Sequence, residues 1–121
     1  MPGRKKVEWI GPSRRELRSF PPVARWRAGV NLDLVQDGLD PEDWKPMENV
    51  GPGAREIRVR TFDGGTMHHR VVYVAKFAEA VYVLHAFEKK TAQTPPHHIE
   101  VAAARYRQML EQRDRNKGDL R

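Results

Sequence analysis

The 121-residue chain has no cysteine. That excludes disulfides, zinc ribbons built on thiolates and a thiol nucleophile together. Long apolar runs are missing too. None approaches the roughly 18 residues that a membrane span requires. The basic start Arg4-Lys5-Lys6 is not followed by an apolar stretch, so no secretory signal is expected and a cytoplasmic location is. No internal repeat is visible. No Asp, Cys or His set has ligand spacing, and adjacent histidines such as His68-His69 and His97-His98 cannot easily chelate one ion together. A metal or other cofactor is therefore not expected.

Charge is what the chain has in quantity. Lys+Arg number 22 against 16 Asp+Glu, for a net charge of +6, with 31% charged and 39% hydrophobic residues. Such a balance suits one folded domain with a basic surface and a polyanionic partner, nucleic acid first. The charge is unevenly spread. Residues 1–30 hold eight Lys+Arg and two Glu, for +6, whereas residues 31–50 hold one Lys and six acids, for −5. The acidic block from Asp33 to Glu48 is expected to lie away from any nucleic-acid face, because it would repel one.

The hydrophobic pattern predicts the elements. Val7 to Ile10 reads as a short strand ended by Gly11-Pro12. Ser13 and Glu16 have the spacing of a capping box, which predicts a helix to about Phe20. Pro21-Pro22 breaks it. Val23, Trp26, Val30 and Leu34 then fall at helical spacing and predict a second helix, with Trp26, like Trp9, in the core. It should stop near Asp37-Gly38. Residues 39–54 read as a loop. Glu56 to Thr61 alternate strictly, so Ile57 and Val59 should face the core while Glu56, Arg58 and Arg60 line the other face. Asp63-Gly64-Gly65 predicts a hairpin turn. The return strand, about Met67 to Ala75, places Arg70, Val72 and Val74 on one face. Val81 to Phe87 is an apolar run for a central strand. Ile99, Ala102, Ala103, Tyr106 and Leu110 predict a final amphipathic helix, fraying beyond Gln112. The sum is an α+β domain: a small, mainly antiparallel sheet with helices packed on one face. The other face is expected to be partly open and to carry Arg58, Arg60 and Arg70.

Four blocks carry a resemblance. They are Lys45-Pro46-Met47; Arg55-Glu56-Ile57-Arg58-Val59; Arg70-Val71-Val72-Tyr73; and Leu84-His85-Ala86-Phe87-Glu88-Lys89-Lys90-Thr91-Ala92-Gln93-Thr94-Pro95. In order and spacing they resemble the phage-derived, HigB-like branch of the RelE/ParE toxin superfamily. The resemblance implies a RelE-like fold, with two N-terminal helices on one sheet face and a C-terminal helix. It also implies the toxin of a type II toxin–antitoxin pair, a ribosome-dependent endonuclease acting on mRNA. The partner it implies is a small helix-turn-helix, HigA-like antitoxin. Arg58 falls where RelE-type nucleases place a basic residue, and Arg70 falls on the arginine that contacts the scissile phosphate. Lys89 and Lys90 fall near the basic residue after the last strand. Glu56 departs from the pattern, which has a further basic residue there, and the C-terminal tyrosine has no counterpart.

A metal-free ribonuclease must deprotonate the RNA 2′-hydroxyl, stabilise a dianionic phosphorane and protonate the leaving 5′-oxygen. Arginine suits the middle task, since its planar fork matches two phosphate oxygens. Arg58 and Arg70 are the expected pair, with Lys89 or Lys90 as a third charge. A lysine crowded by arginines has its pKa lowered and can act as a base. His68 shares Arg70's face and is the other acid/base candidate, whereas His69 should point away. His85, inside an apolar strand, reads as a hydrogen-bonded core residue, and His97 and His98 as surface. Arg60, with Arg14, Arg15 and Arg18 of the N-terminal cluster, is expected to grip substrate backbone. Two other activities remain open on the same residues: a non-catalytic, ParE-like gyrase poison, and a basic nucleic-acid-binding phage protein without toxicity.

Overall fold

The structure, a computed structural model, describes residues 4–61, 68–90 and 93–119. In chain order the elements are β1 (Lys6–Trp9), α1 (Ser13–Arg18), α2 (Pro22–Gln36), β2 (Trp44–Pro46), β3 (Ala54–Val59), β4 (His68–Val74), β5 (Ala80–Lys89) and α3 (Pro96–Asp119). The five strands form one sheet in the order β1-β5-β4-β3-β2. Only the β1–β5 pair is parallel. This is the expected α+β architecture, consistent with a RelE-like fold.

Strand alternation sets the two faces. On β3, Ile57 and Val59 point one way and Glu56 and Arg58 the other. The register pairs Ile57 with Val71 and Arg58 with Arg70. Residues of like character therefore stack on like faces across the sheet. Every residue of β5 from Ala80 to Phe87 is buried, because β1 and β4 flank it and helices cover it.

The helices divide between the faces. Leu17 and Phe20, with Ala24, Ala28, Leu32 and Val35 of α2, pack on Ile57, Val59, Val71, Tyr73, Val81 and Val83. On the second face, Ala102, Tyr106 and Met109 of α3 pack on Val72, Val74, Tyr82 and Leu84. The expectation that all helices share one face holds for α1 and α2 alone. The apolar stripe of α3 fills part of the face expected to be open.

Three further readings are corrected. The face of α2 turned to the sheet is not the Val23–Trp26–Val30–Leu34 stripe: Trp26 is 66% and Val23 57% exposed. Ala24 and Ala28, both fully buried, let the helix lie close to the sheet where bulkier residues would hold it off. Trp9, by contrast, is half-buried against the first-face cluster. Ser13 does not cap α1. Pro12 occupies the cap position without a side-chain bond, and Glu16 is turned to β5 instead. The expected loop at 39–54 contains β2, which pairs Trp44 with Ile57 and Lys45 with Glu56. Its Pro46 is tolerated because β2 is an edge strand.

The end of α2 follows the expectation, with Gly38 at φ +82° just past Asp37. The Asp63-Gly64-Gly65 hairpin lies outside the described residues. α3 continues past Gln112, where fraying is expected. Arg113 anchors it, with Nε 2.5 Å from Glu79 Oε2 and its guanidinium 3.5 Å from the Phe77 ring centre. Among the described residues no helix is long and apolar enough to cross a membrane.

Candidate functional site

Beside the apolar contacts of α3, the second sheet face carries a cluster drawn from four strands. Lys45 comes from β2, Glu56 and Arg58 from β3, His68 and Arg70 from β4 and Lys89 from β5. Glu56 is fully buried at its centre, and Arg70 and Lys89 are 6% and 3% exposed. Arg70 Nε lies 3.2 Å from Glu56 Oε1, with Lys45 Nζ 3.8 Å away on the same oxygen. Thr94, in the segment leading to α3, donates to Glu56 Oε2 at 2.8 Å and accepts from Lys89 Nζ at 3.3 Å. Buried cations need such a partner, since desolvating an unpaired charge costs several kcal/mol (about 3–5). Glu56, the departure from the family pattern, is thus the counter-ion that lets Arg70 and Lys89 sit buried together.

The electrostatics follow from that packing. Burial pushes the Arg70 guanidinium below the ordinary arginine value, and Glu56 opposes the shift. Burial also lowers the Lys89 ammonium, and neighbouring Arg70 lowers it further, against Glu56. This is the crowding expected for a lysine beside arginines. Arg58 and Arg60 lie at the edge of the group. Asp43 Oδ1 is 3.7 Å from Arg58 and its Oδ2 is 2.9 Å from Arg60. That corrects the placing of the acidic block: Asp43 folds against the basic face rather than away from it. Asp33, Asp40 and Glu42 likewise pair with Arg4, Arg55 and Arg27.

The remaining predicted residues are more dispersed. His68 opens β4 in register with Lys89, on Arg70's face and half-buried. His69 points to the opposite face as expected, against Phe20 and 3.1 Å from Glu88. Lys90 is exposed just past β5, and Arg14, Arg15 and Arg18 are exposed on α1. Those three line a shallow surface with Gly11 and Pro12. Among the described residues no ion pair links them to the Arg70 cluster.

A second constellation adjoins the first. β1 pairs only with Ala80–Val83 of β5. Beyond that point the β5 edge exposes peptide groups that must be satisfied. Glu16 Oε1 accepts from the Ala86 N–H at 3.2 Å, and Arg105 donates to the Leu84 carbonyl at 3.0 Å. Arg105 grips both oxygens of Glu16, at 2.6 and 2.9 Å. A bulge in the β4–β5 register puts Leu84 and His85 on the same face. His85 Nδ1 lies 2.9 Å from Glu16 Oε1, and its Nε2 2.9 Å from His98 Nδ1 on α3. The Phe87 ring stacks on both imidazoles, at 4.8 and 4.0 Å between centres.

Burial alone would raise the Glu16 carboxyl, but hydrogen bonds from His85 and Arg105 outweigh it and hold the group at about 2. Burial lowers His98, and the charges of His85 and His97 add to that against Glu16. The sequence reading of His85 as a bonded core residue holds. His98 is half-buried rather than a plain surface residue. Glu16 and Arg105 went unassigned to any site because 69 and 20 residues separate them from His85. No local spacing signals such a contact.

A search of the curated proteins finds no match. The family model described as phage derived protein Gp49-like (DUF891) matches residues 15–107. That span runs from α1 into α3 and contains every residue of both constellations, Glu16 and Arg105 included. The chain therefore belongs to the Gp49-like family of phage-derived proteins, within the RelE/HigB-like toxin group.

Proposed function

We propose that the chain is the toxin of a type II toxin–antitoxin pair, a metal-independent endonuclease that cuts mRNA on the ribosome. One observation carries this reading: Arg70 and Lys89 are buried side by side on a sheet face, around one carboxylate. With Lys45, Arg58 and Arg60 the group holds five cations against Glu56 and Asp43. A fixed surplus of positive charge, with Arg70 and Lys89 already desolvated, suits an anion that gains charge in its transition state. A solvated basic face would leave these side chains in water instead.

In this reading the forks of Arg70 and Arg58 take the non-bridging oxygens of the scissile phosphate. Lys89 supplies a third charge from below. Arg60, Lys90, Arg14, Arg15 and Arg18 hold the flanking RNA backbone, and His68 borders the same face. The partners are mRNA, the ribosome and a cognate helix-turn-helix antitoxin. The family resemblance supports the antitoxin.

Inducing the chain in cells and mapping transcript 5′ ends tests the reading. Growth arrest with new mRNA ends is expected. Arg70→Ala should reduce cleavage by about 10²–10³-fold, and Arg70→Lys should restore little, since it keeps the charge and loses the fork. Arrest with intact transcripts would overturn the nuclease reading. If it came with a DNA-damage response, it would favour gyrase poisoning.

A further inference from the structure

We infer that Glu16, His85 and His98 form a proton relay that ends on Nε2 of His98, and that this nitrogen is the general base of the same site. The inference rests on the ribonuclease reading. Three observations support it.

The first is the direction of the hydrogen bonds. Glu16 is a carboxylate and can only accept. Nη1 of Arg105 also lies 3.1 Å from His85 Nδ1, but Glu16 Oε1 at 2.6 Å and the Leu84 carbonyl at 3.0 Å are its nearer acceptors and take its two N–H groups. Between Glu16 and His85, the proton therefore sits on His85 Nδ1. His85 Nε2 is then an acceptor in the neutral ring, so the proton of the next bond sits on His98 Nδ1. Nε2 of His98 is left with its lone pair, and the hydrogen bond His98 makes to His85 runs through Nδ1. In water a neutral imidazole prefers the opposite tautomer, so the chain of bonds selects Nε2 of His98 as the basic nitrogen.

The second is position. Phe87, whose ring lies 4.0 Å from that of His98 in a 14° stack, is the register partner of Arg70. Four residues before His98, Thr94 bonds Glu56. The segment leading into α3 is thus fixed to the Arg70 cluster at Thr94, and the first turn of α3 to the relay at His98. The third is redundancy. Glu16 accepts from the Ala86 N–H and Arg105 donates to the Leu84 carbonyl, so the bond from His85 to His98 engages neither of these peptide groups of the β5 edge.

The groups facing His98 are His85 from β5, Glu16 from α1 and His97 from its own helix. Glu16 steadies the positive charge that His98 takes up. In the reaction, His98 Nε2 takes the 2′-hydroxyl proton as the O2′–P bond forms. The P–O5′ bond breaks, and the departing O5′ takes a proton from solvent. The imidazolium returns its proton to solvent. The products are a 2′,3′-cyclic phosphate and a 5′-hydroxyl, and one proton has moved from O2′ to O5′.

The experiment uses the full chain with ribosomes programmed with a short mRNA. Rates are read against pH, and long-range ¹H–¹⁵N spectra report the histidine tautomers. Wild type should show an acidic limb of unit slope, and neutral His98 should carry its proton on Nδ1. His98→Gln, on the half-exposed ring, should lose about 10²–10⁴-fold and the acidic limb with it. Glu16→Gln should slow the reaction and move the limb to lower pH, since the carboxylate that favours imidazolium is gone. A wild-type chain that cleaves no mRNA overturns the ribonuclease reading and the relay together. If wild type cleaves and His98→Gln keeps its rate and limb, or if neutral His98 carries its proton on Nε2, the relay alone is overturned.

Discussion

Glu56 shows how one residue can decide what its neighbours do. It is fully buried, and Arg70, Lys45 and Thr94 converge on it. Removing its charge strands a buried guanidinium and a buried ammonium. Glu56→Gln keeps the volume and the bond to Thr94, yet should cost about 3 kcal/mol in urea unfolding. Arg70→Met should also destabilise, but the double variant should fall short of the sum by about 1–3 kcal/mol. Simple additivity would show that the two side chains do not share a charge environment. The residues of this cluster were largely legible in the sequence. Strand alternation puts Arg58 and Arg70 on one face, and the family blocks single out Lys89. The role of Glu56 was not legible, because a counter-ion is defined by the cations that fold around it. Asp43 was misplaced for a similar reason. A run of acids reads as repulsion until the arginines that neutralise it are known.

At the scale of elements, α2 is the case where periodicity misled. Its large apolar residues form the stripe Val23, Trp26, Val30 and Leu34, but the helix buries Ala24, Ala28, Leu32 and Val35. Alanine adds little to a hydrophobic pattern, so the face that packs most closely shows the weakest signal. The two faces predict different responses. Trp26→Ser should change stability by less than about 0.5 kcal/mol, since the ring is exposed. Leu32→Ala, a buried truncation, should cost about 2–4 kcal/mol. Equal losses would place Trp26 in the core after all. The short β2 was illegible for another reason: three residues with a proline carry no period, and only the pairing with β3 makes them a strand. The contact of α3 with the β2–β3 connection at Gly51 predicts a third response. A Cβ there would meet the Tyr106 ring at 2.6 Å, and the Tyr106 hydroxyl is bound to the Pro52 carbonyl at 2.6 Å. Gly51→Ala should therefore destabilise by about 1–3 kcal/mol through overpacking, read as a lower melting temperature.

For the molecule as a whole, the +6 net charge is not a uniform basic coat. Most acids of residues 31–50 are tied to arginines, at exposed or half-exposed positions where each pair contributes about 0–1 kcal/mol. Those pairs should barely shape the dependence of stability on pH. The half-buried Glu16 and His98 should shape it instead. His98 has its pKa lowered from 6.5 in the fold, so its contribution is present above 6.5 and declines as pH falls below it. Glu16 is held at about 2 against an ordinary 4.5. Its contribution is complete above 4.5 and is lost as pH falls from there toward 2, by at most about 3 kcal/mol. Glu79 is also held at about 2, first by Arg113, but its carboxylate is 45% exposed and solvent screens the pair. The expected curve of melting temperature is level above neutrality, slopes gently below 6.5 and steepens between 4.5 and 2. Glu16→Gln should start lower and remove the steep part, while Glu79→Gln should leave it in place. A Glu16→Gln chain that still falls steeply below 4.5 would move the acid sensitivity to the exposed pairs. The β5 edge would then owe its stability to Arg105 and the bulge rather than to the Glu16 carboxylate.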